Sequence, residues 1–143
     1  MFLVTFILGL CGSGKSFLAN SMCEQDPSLQ LIDEGFVSGL PDFEDKYAKL
    51  VEDLKKGTNY IVIEIAYVYE NNRTYIIDRL SRDVPDIEFQ WLCFENNLKK
   101  ANANARSRKD RDPEGHVRIN ESLTQGYTYP EGAVILPIPE IGR

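Results

Sequence analysis

No stretch of this 143-residue sequence approaches the ~20 consecutive apolar residues that a membrane-crossing helix needs. The apolar run at its amino end lacks the basic leader of a secretory signal, and the Gly-Ser-Gly-Lys-Ser that follows is unlike a cleavage site. Cysteine is scarce and odd in number. Cys11, Cys23 and Cys93 have neither metal-ligand spacing nor the pairing of a disulfide framework. Reduced thiols in a cytoplasmic protein are the expectation. Positive charge is also short: 16 Lys and Arg stand against 22 Asp and Glu, a net charge of -6. The molecule as a whole therefore repels nucleic acid and anionic membrane, and an anionic substrate must meet a local basic patch. Repeats, low-complexity tracts and interdomain linkers are absent, and the length suits one domain with its own core.

What is present alternates between strand and helix patterns. Residues 2–8 form a continuous apolar run, the signature of a parallel strand covered on both faces. A helix is expected over 14–23 and a short strand over 29–32, ending at Asp33-Glu34-Gly35. Phe43, Tyr47, Leu50, Val51 and Leu54 recur at helical spacing, with Pro41 before them and Gly57 after. Residues 60–65 are rich in β-branched side chains and predict a third strand. A helix over 72–82, closed by Pro85, leads to a fourth strand over 87–94, in which Trp91 reads as core. Leu98, Ala101 and Ala105 mark one helical face, and Asp112-Pro113-Glu114 has the form of an N-cap with proline at the first helical position. Residues 132–137 predict a fifth strand. Strands alternating with helices imply a mostly parallel sheet with helices on both faces.

Between the first strand and the first helix, Gly9-Leu10-Cys11-Gly12-Ser13-Gly14-Lys15-Ser16 matches G-x-x-x-x-G-K-[ST] without departure. Glycines let successive backbone N–H groups turn toward phosphate oxygens, and the helix that follows adds the positive end of its dipole. Lys15 is expected to reach the β- and γ-phosphates, and the Ser16 hydroxyl to ligate Mg²⁺. Nucleotide contacts are accordingly expected from Gly9, Cys11, Gly12, Ser13, Gly14, Lys15, Ser16 and Phe17.

With this loop at the amino end, the strand–helix order and a late basic cluster, the sequence resembles the P-loop kinases of the adenylate, shikimate and gluconate kinase type. The resemblance implies a three-layer α/β fold, with a five-stranded parallel sheet of order 2-3-1-4-5 and helices on both faces. It also implies a single domain with a small lid at about residues 99–118. The implied activity is transfer of the γ-phosphoryl group of ATP, with Mg²⁺, to a small-molecule or nucleotide acceptor. An Asn-Lys-x-Asp guanine motif and a Leu-Ser-Gly-Gly signature are both missing, which disfavours GTPases and transporter ATPases. Two alternatives stand beside the kinase. One is an ATP-binding switch or ATPase with little transfer activity. The other is a polynucleotide end kinase, against which the acidic balance speaks.

The resemblance also implies roles for particular residues. Asp33, at the end of the second strand, is placed to accept the acceptor's proton or to help hold Mg²⁺, with Glu34 as its substitute. Glu64 falls at the Walker B position, where the family's usual residue is Asp, and is expected to serve catalysis or the metal. Arg106, Arg108, Lys109 and Arg111 are the lid's basic cluster, expected to stabilise the charge of the transferring phosphoryl. Residues two apart diverge on a helix, so Arg106 and Arg108 cannot share one face. Arg73, Tyr67 and Tyr69 are weaker candidates for the acceptor pocket, and His116 reads as a solvated lid residue. Residues 137–140 are expected beside the adenine. The family's closing helix after the fifth strand has no counterpart in this sequence.

Overall fold

The computed structural model describes residues 2–108 and 112–140. Phe2–Leu8 (β1) is apolar apart from Thr5, whose hydroxyl donates to Gln90 Oε1 at 3.0 Å, because both of its faces are covered, and Val4 to Leu8 are all buried. β1 is the middle strand of a five-stranded, all-parallel sheet of order β2-β3-β1-β4-β5. The other strands are Gln30–Asp33 (β2), Tyr60–Ile63 (β3), Ile87–Phe94 (β4) and Val134–Leu136 (β5). This is the expected order. Among the described residues the helices are Lys15–Gln25 (α1), Phe43–Lys55 (α2), Glu70–Asp83 (α3), Leu98–Ser107 (α4) and Pro113–Gly126 (α5), and none is long and apolar enough to cross a membrane. Burial follows position in the sheet. All four residues of β3 are buried, whereas Val134 and Ile135 on the edge strand β5 stay half exposed. Phe6 joins the layers, stacking on Trp91 at 4.4 Å and meeting Tyr67 edge-on at 5.2 Å.

Local chemistry accounts for the helix starts. Asn97 accepts from the Lys100 N–H at 3.1 Å to open α4, and Asp112 accepts from the Gly115 N–H at 3.0 Å to open α5, with Pro113 at its first position. Two elements differ from the sequence expectation. The third strand stops at Ile63, and a 3-10 turn over Ile65–Val68 follows, because the Glu64 carboxylate accepts from the Ala66 N–H and turns the chain off the sheet. The fifth strand has three residues, bounded by Gly132 with φ 76° on one side and Pro137 on the other.

Arg73, a candidate for the acceptor pocket, proves to be structural, and Tyr67 packs in the core. Arg73 is 5% exposed, and its Nη1 donates to the carbonyls of Tyr67, Val68 and Thr128 at 2.9, 3.1 and 3.0 Å. Its Nη2 donates to Thr128 Oγ1 at 2.8 Å. The guanidinium thus pins the 3-10 turn to the segment that follows α5. The hydroxyl of buried Tyr67 donates to the Phe36 carbonyl at 2.6 Å. Arg73→Met removes the guanidinium's donors, although the Val68 carbonyl still accepts from the Thr128 N–H at 3.0 Å, and is expected to lower the unfolding free energy by about 2–4 kcal/mol. Urea denaturation of the variant measures it.

Candidate functional site

The phosphate loop leaves the carboxyl end of β1, where an open parallel sheet places its ligands. Gly12 and Gly14 have φ of 88° and 107°, in the region closed to most side chains. At Gly12 space forbids a side chain as well: a Cβ there would lie 2.5 Å from the Ala101 carbonyl oxygen of α4. Gly14 is the residue before α1, and no side chain caps that helix, so its first-turn N–H groups face the loop without a protein partner from a cap. The Lys15 side chain folds back over the loop, with Nζ donating to the carbonyls of Gly9 and Leu10, both at 2.9 Å. Burial pushes its pKa down.

A cavity of about 300 Å³ opens beside this loop, lined by Cys11, Gly12, Lys15, Ser16, Asp33, Glu34, Ile65, Arg108, His116 and Ile119. The end of β2, the P-loop and the α4–α5 hairpin therefore meet where the sequence expected phosphate chemistry. Asp33 is exposed at the strand end, and Glu34 is half-buried behind it with φ 67°, an uncommon conformation for a residue with a side chain. The Glu34 carboxyl is pushed up to about 7. Burial is the main cause and the neighbouring Glu64 charge the second, with Lys15 opposing them. Arg108, at the end of α4, turns to the cavity. Arg106 turns away to pair with Glu114 at 3.4 Å and does not line the cavity. Arg108 has left the helix for an extended conformation, and the Glu114 pair holds Arg106 on the other side. His116, partly exposed, also lines the cavity wall.

Several expected contacts fall elsewhere. Glu64 is 5% exposed and does not line the cavity. Its Oε1 accepts from the Gly35 and Phe36 N–H groups at 2.9 and 3.0 Å, and its Oε2 from Ala66 at 3.0 Å. A carboxylate so occupied is a loop anchor that holds the turn carrying Glu34, in place of the catalytic or metal role expected of it. The Ser13 hydroxyl is buried and has no hydrogen-bond partner among the described residues, and a Cβ on Gly9 would lie 2.3 Å from it. The Ser13 N–H is itself engaged, donating to the Leu10 carbonyl at 3.2 Å. Phe17 is 81% exposed and lines neither this cavity nor the next one. Lys109 and Arg111 lie outside the described residues.

A second cavity of about 470 Å³ lies between α4 and the segment after β5, lined by Asn97, Lys99, Lys100, Ala103, Asn104, Pro139 and Glu140. Pro139 and Glu140, from the segment expected beside the adenine, line this cavity near the phosphate loop. Asn104 Nδ2 donates to the Gly12 carbonyl at 3.0 Å and to that of Pro139 at 2.7 Å.

Sequence reasoning missed the amides. Asn102, Asn104 and Asn120 are buried, and none was singled out. A signal was available, because Asn120 sits three residues from both Val117 and Leu123, in the middle of the apolar stripe of α5. A polar group at such a position must have a partner.

Divalent metal can be tested against these donors. The Ser16 hydroxyl and the Asp33 and Glu34 carboxylates share one cavity, and hard oxygen donors of this kind suit Mg²⁺. Among the described residues no group of three or more His, Cys, Asp or Glu could cage an ion. Mg²⁺ commonly needs no such cage, since one or two protein oxygens and the substrate's phosphates complete its shell.

Glu34 makes a prediction about stability. Its folded-state pKa lies above the usual carboxylate value, so the native state favours the protonated form, and that contribution is lost as pH rises toward about 7. Glutamine cannot ionise. In metal-free buffer Glu34→Gln is expected to melt above the wild type, by a margin that grows from pH 5 to pH 8 in thermal denaturation.

No protein-family model matches the chain, and no curated protein matches its sequence. Solved structures do match its shape. One is a gluconokinase from Sinorhizobium meliloti 1021, 13% identical with a TM-score of 0.58, over 98% of this chain and 85% of that one. Another is a fungal RNA kinase, 11% identical with a TM-score of 0.69, over 97% of this chain and 76% of that one. Likeness at such identity speaks of architecture alone, here the five-stranded parallel sheet and its order. The chain has the fold of the P-loop kinases.

Proposed function

We propose that the protein is a phosphotransferase that moves the γ-phosphoryl group of Mg·ATP to a hydroxyl of a small acceptor. One observation carries this reading: a single cavity brings the phosphate loop's Lys15 and Ser16 against the acids Asp33 and Glu34 and the arginine Arg108. A phosphoryl donor needs the first pair, an acceptor hydroxyl needs a nearby base, and the charge developing between them needs a cation. Mg²⁺ supplies Lewis-acid neutralisation of the β- and γ-oxygens when bound, and Ser16 and Asp33 are the residues that would hold it. Lys15 leaves its carbonyl partners to meet the phosphates. Glu34 is the better base, because its carboxyl lies closest to neutrality and the Glu64 anchor holds its turn in place. Arg108 is the transition-state cation, and Arg106 is a surface residue. The base of the nucleotide sits against residues 137–140, in the larger cavity beside α4.

A 5′-hydroxyl polynucleotide end is the second reading, favoured by the likeness to an RNA kinase. The net charge of -6 limits it to the terminal nucleotides, since long nucleic acid is held chiefly through its phosphates. An ATP-dependent switch is the third.

The test is γ-phosphate transfer from labelled ATP to a panel of nucleosides, nucleotides, sugars, sugar acids and 5′-hydroxyl oligonucleotides. Transfer to a small hydroxyl compound supports the proposal, and transfer to oligonucleotides alone replaces it with the second reading. Tight nucleotide binding with no transfer leaves the switch. Lys15→Ala is expected to abolish turnover. Arg108→Ala should lower kcat by about 10²–10³-fold, the loss typical of a transition-state donor, while Arg106→Ala stays within a few-fold of wild type. Steady-state kinetics on the accepted substrate reads both.

A further inference from the structure

The α4–α5 hairpin is joined to the phosphate loop by a buried amide. Asn120, on α5, is 0% exposed. Its Oδ1 accepts from the Cys11 N–H at 2.7 Å, and its Nδ2 donates to the carbonyl of the same residue at 2.9 Å. The second Nδ2 hydrogen goes to Oδ1 of Asn102 on α4, at 3.0 Å. One side chain therefore pairs with both backbone groups of Cys11, much as a neighbouring strand would, across 109 residues of sequence. Both donors and the acceptor of a carboxamide are used, which no other side chain of this size reproduces. Cys11 immediately precedes Gly12, where the chain turns to φ 88° against the α4 backbone.

We propose that Asn120, oriented by Asn102, is a positioning residue that holds the phosphate loop in its anion-binding shape before nucleotide arrives. The proposal rests on the reading of the cavity as a nucleotide phosphate site. A loop rich in glycine has many conformations in reach and loses affinity in proportion to the share that cannot bind. Fixing the peptide on either side of Cys11 removes much of that freedom. The same amide fastens the loop to the hairpin that bears Arg108 and His116, so the loop and the cationic wall move as one body rather than as a base and a swinging cover. The role belongs to neither packing nor chemistry alone. Asn120 touches no substrate and acts through the main chain that does.

Equilibrium binding of Mg·ADP to the folded protein, by titration calorimetry with urea denaturation alongside, tests this. Asn120→Asp keeps the shape and the acceptor toward Cys11 N–H. It replaces both donors by lone pairs that face the Cys11 carbonyl and Asn102 Oδ1. Asn102→Ala leaves the two bonds to Cys11 in place and frees only the orientation. The expected result is Mg·ADP affinity at least tenfold weaker in Asn120→Asp and about threefold weaker in Asn102→Ala, per folded molecule. Wild-type affinity in both variants, whatever their urea midpoints, overturns the proposal and leaves Asn120 as a core residue. If Asn120→Asp does not fold, Asn102→Ala decides alone, with unchanged affinity counting against. Wild-type protein that binds no Mg·ADP would sink the nucleotide reading itself, an outcome distinct from tight wild-type binding with unaffected variants.

Discussion

The close approach of the phosphate loop to α4 is the constraint on which the rest of the structure depends. Gly12 can lie against the Ala101 carbonyl only because it has no side chain and tolerates φ 88°. That contact brings α4 over the end of the sheet. It sets Arg108 at the cavity and puts Asn104 within reach of the loop's carbonyl. It also fixes where α5 must run, since Asn102 and Asn120 meet between the two helices. A small sheet of five strands thereby gains a walled site from two helices of 10 and 14 residues.

The acids of the site show how neighbouring carboxylates acquire different work. Glu64 accepts three amide hydrogens within 3.0 Å, whereas Glu34 accepts one, from Ile65 at 3.3 Å. The first is held by main-chain amides and serves as an anchor. The second sits in a strained turn beside the charge of the first, with its affinity for a proton raised. Environments that push paired titratable groups apart in this way are a recurring basis for acid–base chemistry. Nothing in the identity of the two residues, both glutamates, distinguishes them.

What the sequence made legible is what local chemistry controls. The G-x-x-x-x-G-K-[ST] spacing located the loop, the apolar run of β1 located the centre of the sheet, and Asp112-Pro113 located the start of α5. The direction of a side chain leaving a strand end is set by tertiary contacts, and there the reading went astray. Glu64 was assigned to the metal because it follows an apolar strand, yet three amides from two segments claim it. Arg73 looked like an anion receptor until the carbonyls of a 3-10 turn absorbed it. His116 and Ile119 enter the cavity only because α5 packs against α4, which no local pattern reveals. Arg108 was singled out with Arg106, and helical geometry said that the two must part, but only the Glu114 partner shows which one turned away.

Asn104 carries a consequence of its own. Its amide nitrogen donates to Gly12 in the loop and to Pro139 beyond β5, so two stretches of chain remote in sequence hang from one atom. Loss of this amide would therefore remove a tie from both stretches at once.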